Sequence, residues 1–314
     1  METLASILER VMSALHLEAS ASWCKNLTTI PSHLGTAGLL ALADINTIPL
    51  RTALTGTSSW LDIFILAPGL HKQSTAPDLN KGEYPACAAM TTGPPGKTEV
   101  GSVGSGFAYM SAVLLSLAIF ATTVLIGDIV TIAVLTLLLL NRLINVSIIR
   151  RRARPGWFGA PEPGVNSDLL VLLSQDRWFR IQGATYDVKA VTSGTWLRDA
   201  TFLESSLVSF ATLLTYLSAA ISINATPSGK VALLILFVGN AALLGLANES
   251  TKSLTMFSRT LSIKHPPKPY ARRLDLTHEL VREFKRTDCF VAMGMIQPDK
   301  EAEFQKSYKG AVVM

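Results

Sequence analysis

The sequence predicts an all-α membrane protein of four spans, arranged as two transmembrane helical hairpins with a cytosolic loop between them and an amphipathic helix in the tail. Three observations predict it. Hydrophobic residues make up 49% of the chain and charged residues only 16%, against about 25% charged in ordinary soluble domains. Four stretches between Phe107 and Ala247 are too apolar for a soluble fold. The basic residues gather outside them: 150–200 holds eight Lys and Arg and 248–314 twelve more, of 28 in the chain.

A transmembrane helix rises 1.5 Å per residue, so about 20 apolar residues cross a hydrocarbon core of about 30 Å. Phe107 to Ser147 is roughly twice that length. Gly127 and Asp128 interrupt it, a glycine that permits a turn and an aspartate that can bond freed amides, and the run reads as a hairpin. One span continued by a cytosolic stem is the alternative. Leu203 to Ile223 has the length of a third span, and Val231 to Ala247 is a short fourth that needs little tilt or a thinned bilayer. Between them NATPSGK (224–230) carries turn formers.

The divisions that follow are a semi-apolar region and linker (1–105), a first hairpin (106–149), an interfacial loop (150–200), a second hairpin (201–248) and a basic tail (249–314). Cytoplasmic flanks retain Lys and Arg, so the loop and the C-terminus face the cytosol, in the plasma membrane or an endomembrane. The N-terminus is cytosolic with four spans and external with three. It carries no secretory signal, since Glu2, Glu9 and Glu18 interrupt any apolar core, and it reads as a short amphipathic helix. Leu39–Leu42 and Trp60–Leu66 are candidate helices too short to cross. They would lie on the surface or pack against the spans. Residues 71–105, rich in Pro, Gly, Thr and Ser, read as a linker, and GSVGSG (101–106) lacks the Lys and Ser/Thr of a phosphate loop.

In the loop, RPGWFGAPEPG prevents regular structure, and Ser167 to Ser174 reads as a short helix. Arg150, Arg151 and Arg152 beside Trp157, Trp178 and Trp196 form a set of membrane-interface anchors. In the tail, KHPPKPY is a stiff spacer. Asp275 to Thr287 reads as an amphipathic helix with Leu274, Leu280, Val281 and Phe284 near one face, able to dock on the loop, on lipid or on a partner.

Trp196, Leu197, Arg198, Thr201 and Glu204 spell WLR-x-x-T-x-x-E ahead of the third span. This pattern and the following helical hairpin, about a quarter of the chain from 174 to 250, resemble the central block of a group of uncharacterised fungal multi-pass membrane proteins. The resemblance implies membrane residence and a fungal source, and it carries no activity.

The candidate intramembrane polar residues are Asp128, Glu204 and Asn240, because ionisable and amide groups in a bilayer need a reason to be there. Asp128 is expected at the outer turn, hydrated. Glu204 suits the positive end of the third helix. Asn240, with Ala241 and Gly245 as a small-xxx-small pair, suits helix packing. Asn141, Arg142 and Asn145 read as cytoplasmic anchors with Arg142 snorkelling, while Ser205, Ser209, Thr212, Thr215 and Ser218 either line a polar seam or bond their own helix.

No catalytic, cofactor-binding or metal-binding constellation is expected. The five histidines lack H-x-x-x-H and H-E-x-x-H spacing, the odd count of Cys24, Cys87 and Cys289 argues against a disulfide framework, and no G-x-S-x-G elbow occurs. The net charge of +5 suits anionic lipid rather than nucleic acid. The expected partners are the bilayer, a second copy, or a protein met through the tail. The leading expectation is a non-enzymatic scaffold or accessory component. An oligomeric transporter subunit lined by Glu204, Asn240 and the Ser/Thr face is the second reading, and an accessory or enzyme of a lipid or metabolite pathway the third.

Overall fold

The computed structural model describes residues 45–68, 103–154, 159–160, 162–172, 178–192, 197–251, 253–257, 259–262, 268, 270 and 272–309. The N-terminal helix, Leu39–Leu42, nearly all of the 71–105 linker, Trp157, Trp196 and most of the KHPPKPY spacer lie outside the described residues. The chain divides into two compact units, one within 1–82, 90–167 and 182–262, the other within 83–89, 168–181 and 263–314.

The first unit contains four helices long and apolar enough to cross a membrane. α1 (Thr47–Thr55) and a 3-10 turn (Trp60–Phe64) precede them. α2 (Val103–Ile126) and α3 (Ile129–Arg152) break at Gly127, whose φ of 76° is a conformation that glycine adopts without a Cβ penalty. After α4 (Thr185–Thr192) come α5 (Phe202–Ser222) and α6 (Pro227–Glu249). Two boundaries differ from expectation. α2 starts inside the glycine-rich linker, and α6 begins four residues before the fourth apolar run, because Thr226 caps it and Pro227 occupies its first turn, where a missing N–H costs nothing. A 23-residue helix needs no thinned bilayer.

The heaviest packing is not between helices adjacent in sequence. α6 lies along α2 and α5 along α3, whereas α2 meets α3 more lightly. Both main pairs are antiparallel. Ser105 near the start of α2 bonds the Ala247 carbonyl near the end of α6, and Arg152 at the end of α3 bonds the Arg198 carbonyl just before α5. The core between α2, α3 and α6 takes in Val113, Val134, Leu135, Leu138, Leu233, Leu236, Phe237 and Leu244. It also takes in Ile48, Ile65, Leu66 and Ala67. The segment 45–68 therefore packs as a wedge against the spans, with Leu50, Trp60 and Leu61 left exposed. Phe107, Leu114, Leu203 and Leu213 stay exposed, as lipid-facing positions do.

The fold is mostly helical but not all-α. Ser253–Met256 and Arg259–Ser262 form an antiparallel pair, β3 and β4, with Leu254 opposite Leu261. Asn166–Leu172 is strand β1, paired with Trp178–Ala184 as β2. The expected helix over Ser167–Ser174 is thus a strand as far as Leu172, and 173–174 lie outside the described residues. A short apolar run does not declare its type by periodicity, and here a second β-rich run nearby supplies the ladder.

In the second unit α7 (Arg273–Phe284) is followed by α8 (Asp288–Ala292), a 3-10 turn (Pro298–Lys300) and α9 (Glu301–Lys309). Leu276, Leu280, Val281, Phe290, Met295 and Ile296 form its core, with Leu170 of β1 against it. The buried face of α7 is shifted from the expected one: Leu276 is in, while Leu274 and Phe284 are exposed. Arg180 on β2 forks between Asp168 and Glu283 and lies over the Phe284 ring. Those two carboxylates push its guanidinium pKa above the ordinary value.

Candidate functional site

The polar chemistry of the first unit centres on the wedge. Ser59 caps the 3-10 turn and Asp62 sits three residues later, so the Asp62 Oδ2 accepts from the Ser59 N–H at 2.7 Å in a capping box. Its other oxygen accepts from the Tyr109 hydroxyl of α2 at 2.6 Å. The Asp62 carbonyl accepts from Arg142 Nε of α3 at 2.9 Å, and the Ser58 carbonyl from Arg150 at 2.8 Å. Arg150 stacks over Trp60 and Arg51 over Tyr109, with guanidinium carbons 4.7 and 5.2 Å from the ring centres. Arg142 thus bonds a carbonyl within the turn, and Arg150 the carbonyl of the residue before its cap.

Deeper in, Asn240 of α6 donates to the Ala112 carbonyl (2.9 Å) and accepts from the Leu66 N–H (3.2 Å) and Ser116 (2.8 Å). This one side chain ties α6 to α2 and to the wedge backbone, a packing role in agreement with its small neighbours. Asn141 donates to Thr215 at 2.6 Å, joining α3 to α5, and Asn145 donates to Asn141. Asn141, Arg142 and Asn145 are all buried. Their expected role as snorkelling anchors is overturned, because they face the wedge and α5 rather than the headgroups.

Asp128 is a correction too. It is 7% exposed, not a hydrated turn residue. It caps α3 through the Thr131 N–H and accepts from the Thr131 hydroxyl, the Thr226 N–H and the Thr226 hydroxyl (2.6 Å). One carboxylate thereby clamps the two turns together. Burial works to raise its pKa, but bonds from Thr131 and Thr226 hold it below the ordinary value. Gly229 packs against this clamp so closely that a Cβ would lie 2.0 Å from Thr131 Oγ1.

Glu204 is buried at the start of α5, where it completes a capping box with Thr201 and accepts from Arg198 at 2.8 and 3.0 Å. The T-x-x-E of the sequence block is this cap, and its arginine is the counter-ion. Sequence reasoning noted the acid but not the box. Arg151 approaches Glu204 at 3.8 Å with a largely exposed side chain, and Arg152 holds the Arg198 carbonyl. Trp178 opens β2. Ser209, Thr212, Thr215 and Ser218 all donate to carbonyls of their own helix.

Glu204 is tied to Arg198, Asn240 to α2 and the wedge, and these α5 hydroxyls to carbonyls of their own helix. What sequence reasoning missed is the Asp62, Tyr109 and Arg142 cluster. Its one available signal was S-x-x-D at Ser59 to Asp62, with charge in an otherwise apolar run. Among the described residues no group of three His, Cys, Asp or Glu comes together as metal ligands would. The comparisons with known proteins add no relative: no family model, no curated protein and no solved structure matches this chain.

Proposed function

We propose that this chain is a lipid-embedded scaffold, a four-span unit whose loop and tail face the cytosol. One observation carries the reading. The candidate intramembrane polar side chains are bonded within the bundle: Asp128 to the two turns, Glu204 to Arg198 and the cap, Asn240 to α2 and the wedge, and Asn141 to Thr215. A permeation path needs groups that can exchange partners with a cargo, whereas bonded groups inside a membrane specify packing. The abundance of Lys and Arg in the loop and tail supports the cytosolic side. The tail, which carries twelve of those residues from 248 onward, is the surface on which a protein partner or a second copy would be recruited.

Reconstituted liposomes test it. The expected result is no flux of ions or small anions above that of empty vesicles, for the native chain and for Glu204→Gln alike. Flux that appears with the native chain and disappears with Glu204→Gln overturns the scaffold and establishes a transporter.

A further inference from the structure

Arg142 lies on α3 about 15 Å from Arg152 along the helix axis, at 1.5 Å per residue. Only 3% of its surface is exposed. A guanidinium carries five N–H donors, and the hydrogen bond Arg142 makes among the described residues uses just one, from Nε to the Asp62 carbonyl. No described carboxylate reaches it at ion-pair distance. The nearest acid, Asp62, has already committed one oxygen to Ser59 and the other to Tyr109. Arg51 over the Tyr109 ring and Arg150 at the Ser58 carbonyl add two more cations around the same wedge.

The Asp62 carboxylate attracts Arg142 without a direct bond to it, and a buried cation so loosely paired is costly in protein and costlier within a bilayer. Two other buried polar groups of the bundle have side-chain partners: Glu204 has Arg198, and Asn141 has Thr215. At Arg142 the charge outweighs the acceptors.

We propose that the two terminal nitrogens of Arg142, beneath the wedge, bind one oxyanion group, a carboxylate or phosphate borne by a lipid or free in solution. The planar fork of a guanidinium pairs with two oxygens of such a group at once, which an ammonium cannot do. Tyr109, bonded to the Asp62 carboxylate, and Arg51, over the Tyr109 ring, would supply second contacts. With so little exposed surface, Arg142 takes up its ligand when the wedge lifts, and the closed wedge then retains it. This inference goes beyond the scaffold reading, since a bound anion serves a scaffold and a carrier equally.

The test uses the full chain purified in a neutral detergent, with its unfolding temperature followed against inorganic phosphate, oleate and phosphatidic acid, and phosphatidylcholine as the zwitterionic control. A ligand that binds only the folded state raises Tm with concentration. At least one anionic probe is expected to raise Tm in the native chain, with the shift abolished in Arg142→Gln, weakened several-fold in Arg142→Lys and intact in Arg286→Gln. Stabilisation by oleate or phosphatidic acid alone identifies a lipid ligand, and stabilisation by phosphate a soluble one. Absence of a shift with every anionic probe, or an equal shift in Arg142→Gln, overturns the proposal. Should the Gln variant fail to fold, the Lys variant decides: an unweakened shift there overturns it as well.

Discussion

Asp128 does the work of two caps at once. It satisfies the first turn of α3 and reaches the Thr226 cap of α6, nearly a hundred residues later in the chain. Asp128→Ala removes the N-cap and leaves Thr226 without its acceptor, at a cost of about 1–3 kcal/mol, which thermal unfolding in detergent reads as a lower Tm. The pH dependence has a definite sign. Because the folded-state pKa lies below the ordinary value of 3.8, the clamp contributes fully above that pH and its contribution is lost as pH falls through the depressed folded value. The native chain therefore loses stability on acidification below about pH 4 while Asp128→Ala loses less; parallel acid curves for the two proteins contradict this. From sequence, Asp128 was recognisable as a turn residue. Its partner was not, because a hydrogen bond between distant turns has no local signature.

At the scale of elements, α7 shows how far periodicity reaches. A helix with apolar residues at three- and four-residue spacing was legible, but the burial belongs to Leu276, Leu280 and Val281, and Phe284 turns outward to meet Arg180. Leu280→Ala is expected to cost about 2–5 kcal/mol, felt within the second unit. Hydrogen exchange should show faster exchange along α7 and α8 with the spans unchanged. Slower exchange, or loss spread through α2 and α3, contradicts that localisation. Strand β1 was misread as helix for a related reason: seven residues are too few for the helical and extended periods to separate.

At the scale of the molecule, the start of α2 and the end of α6 come together through Ser105 and Ala247. Segments leading into the first span and out of the last therefore leave the bundle at one end. Tags at the two termini are expected on the same side of the membrane, so protease added to sealed vesicles should remove both or neither. Removal of one alone contradicts a four-span arrangement. Asn26, Asn145, Asn224 and Asn248 open Asn-x-Ser/Thr sequons, and glycosylation of Asn26 would contradict the cytosolic placement of that side. Of the other sequons, Asn145 is buried and Asn248 nearly so, with Asn248 donating to the Thr47 carbonyl, so neither is a free acceptor.

What the sequence makes legible by itself is four stretches long and apolar enough to cross a membrane and the break between the first two, because the cost of placing charge in hydrocarbon can be read residue by residue from composition and length. What only the tertiary structure decided is which helix lies on which, that 45–68 enters the bundle, and that Arg142 and Asp62 meet there. Lipid tails are as apolar as leucine, so the hydrophobic pattern that sends a helix into the membrane says nothing of its neighbours. Those were chosen by a few polar contacts between residues far apart in the chain.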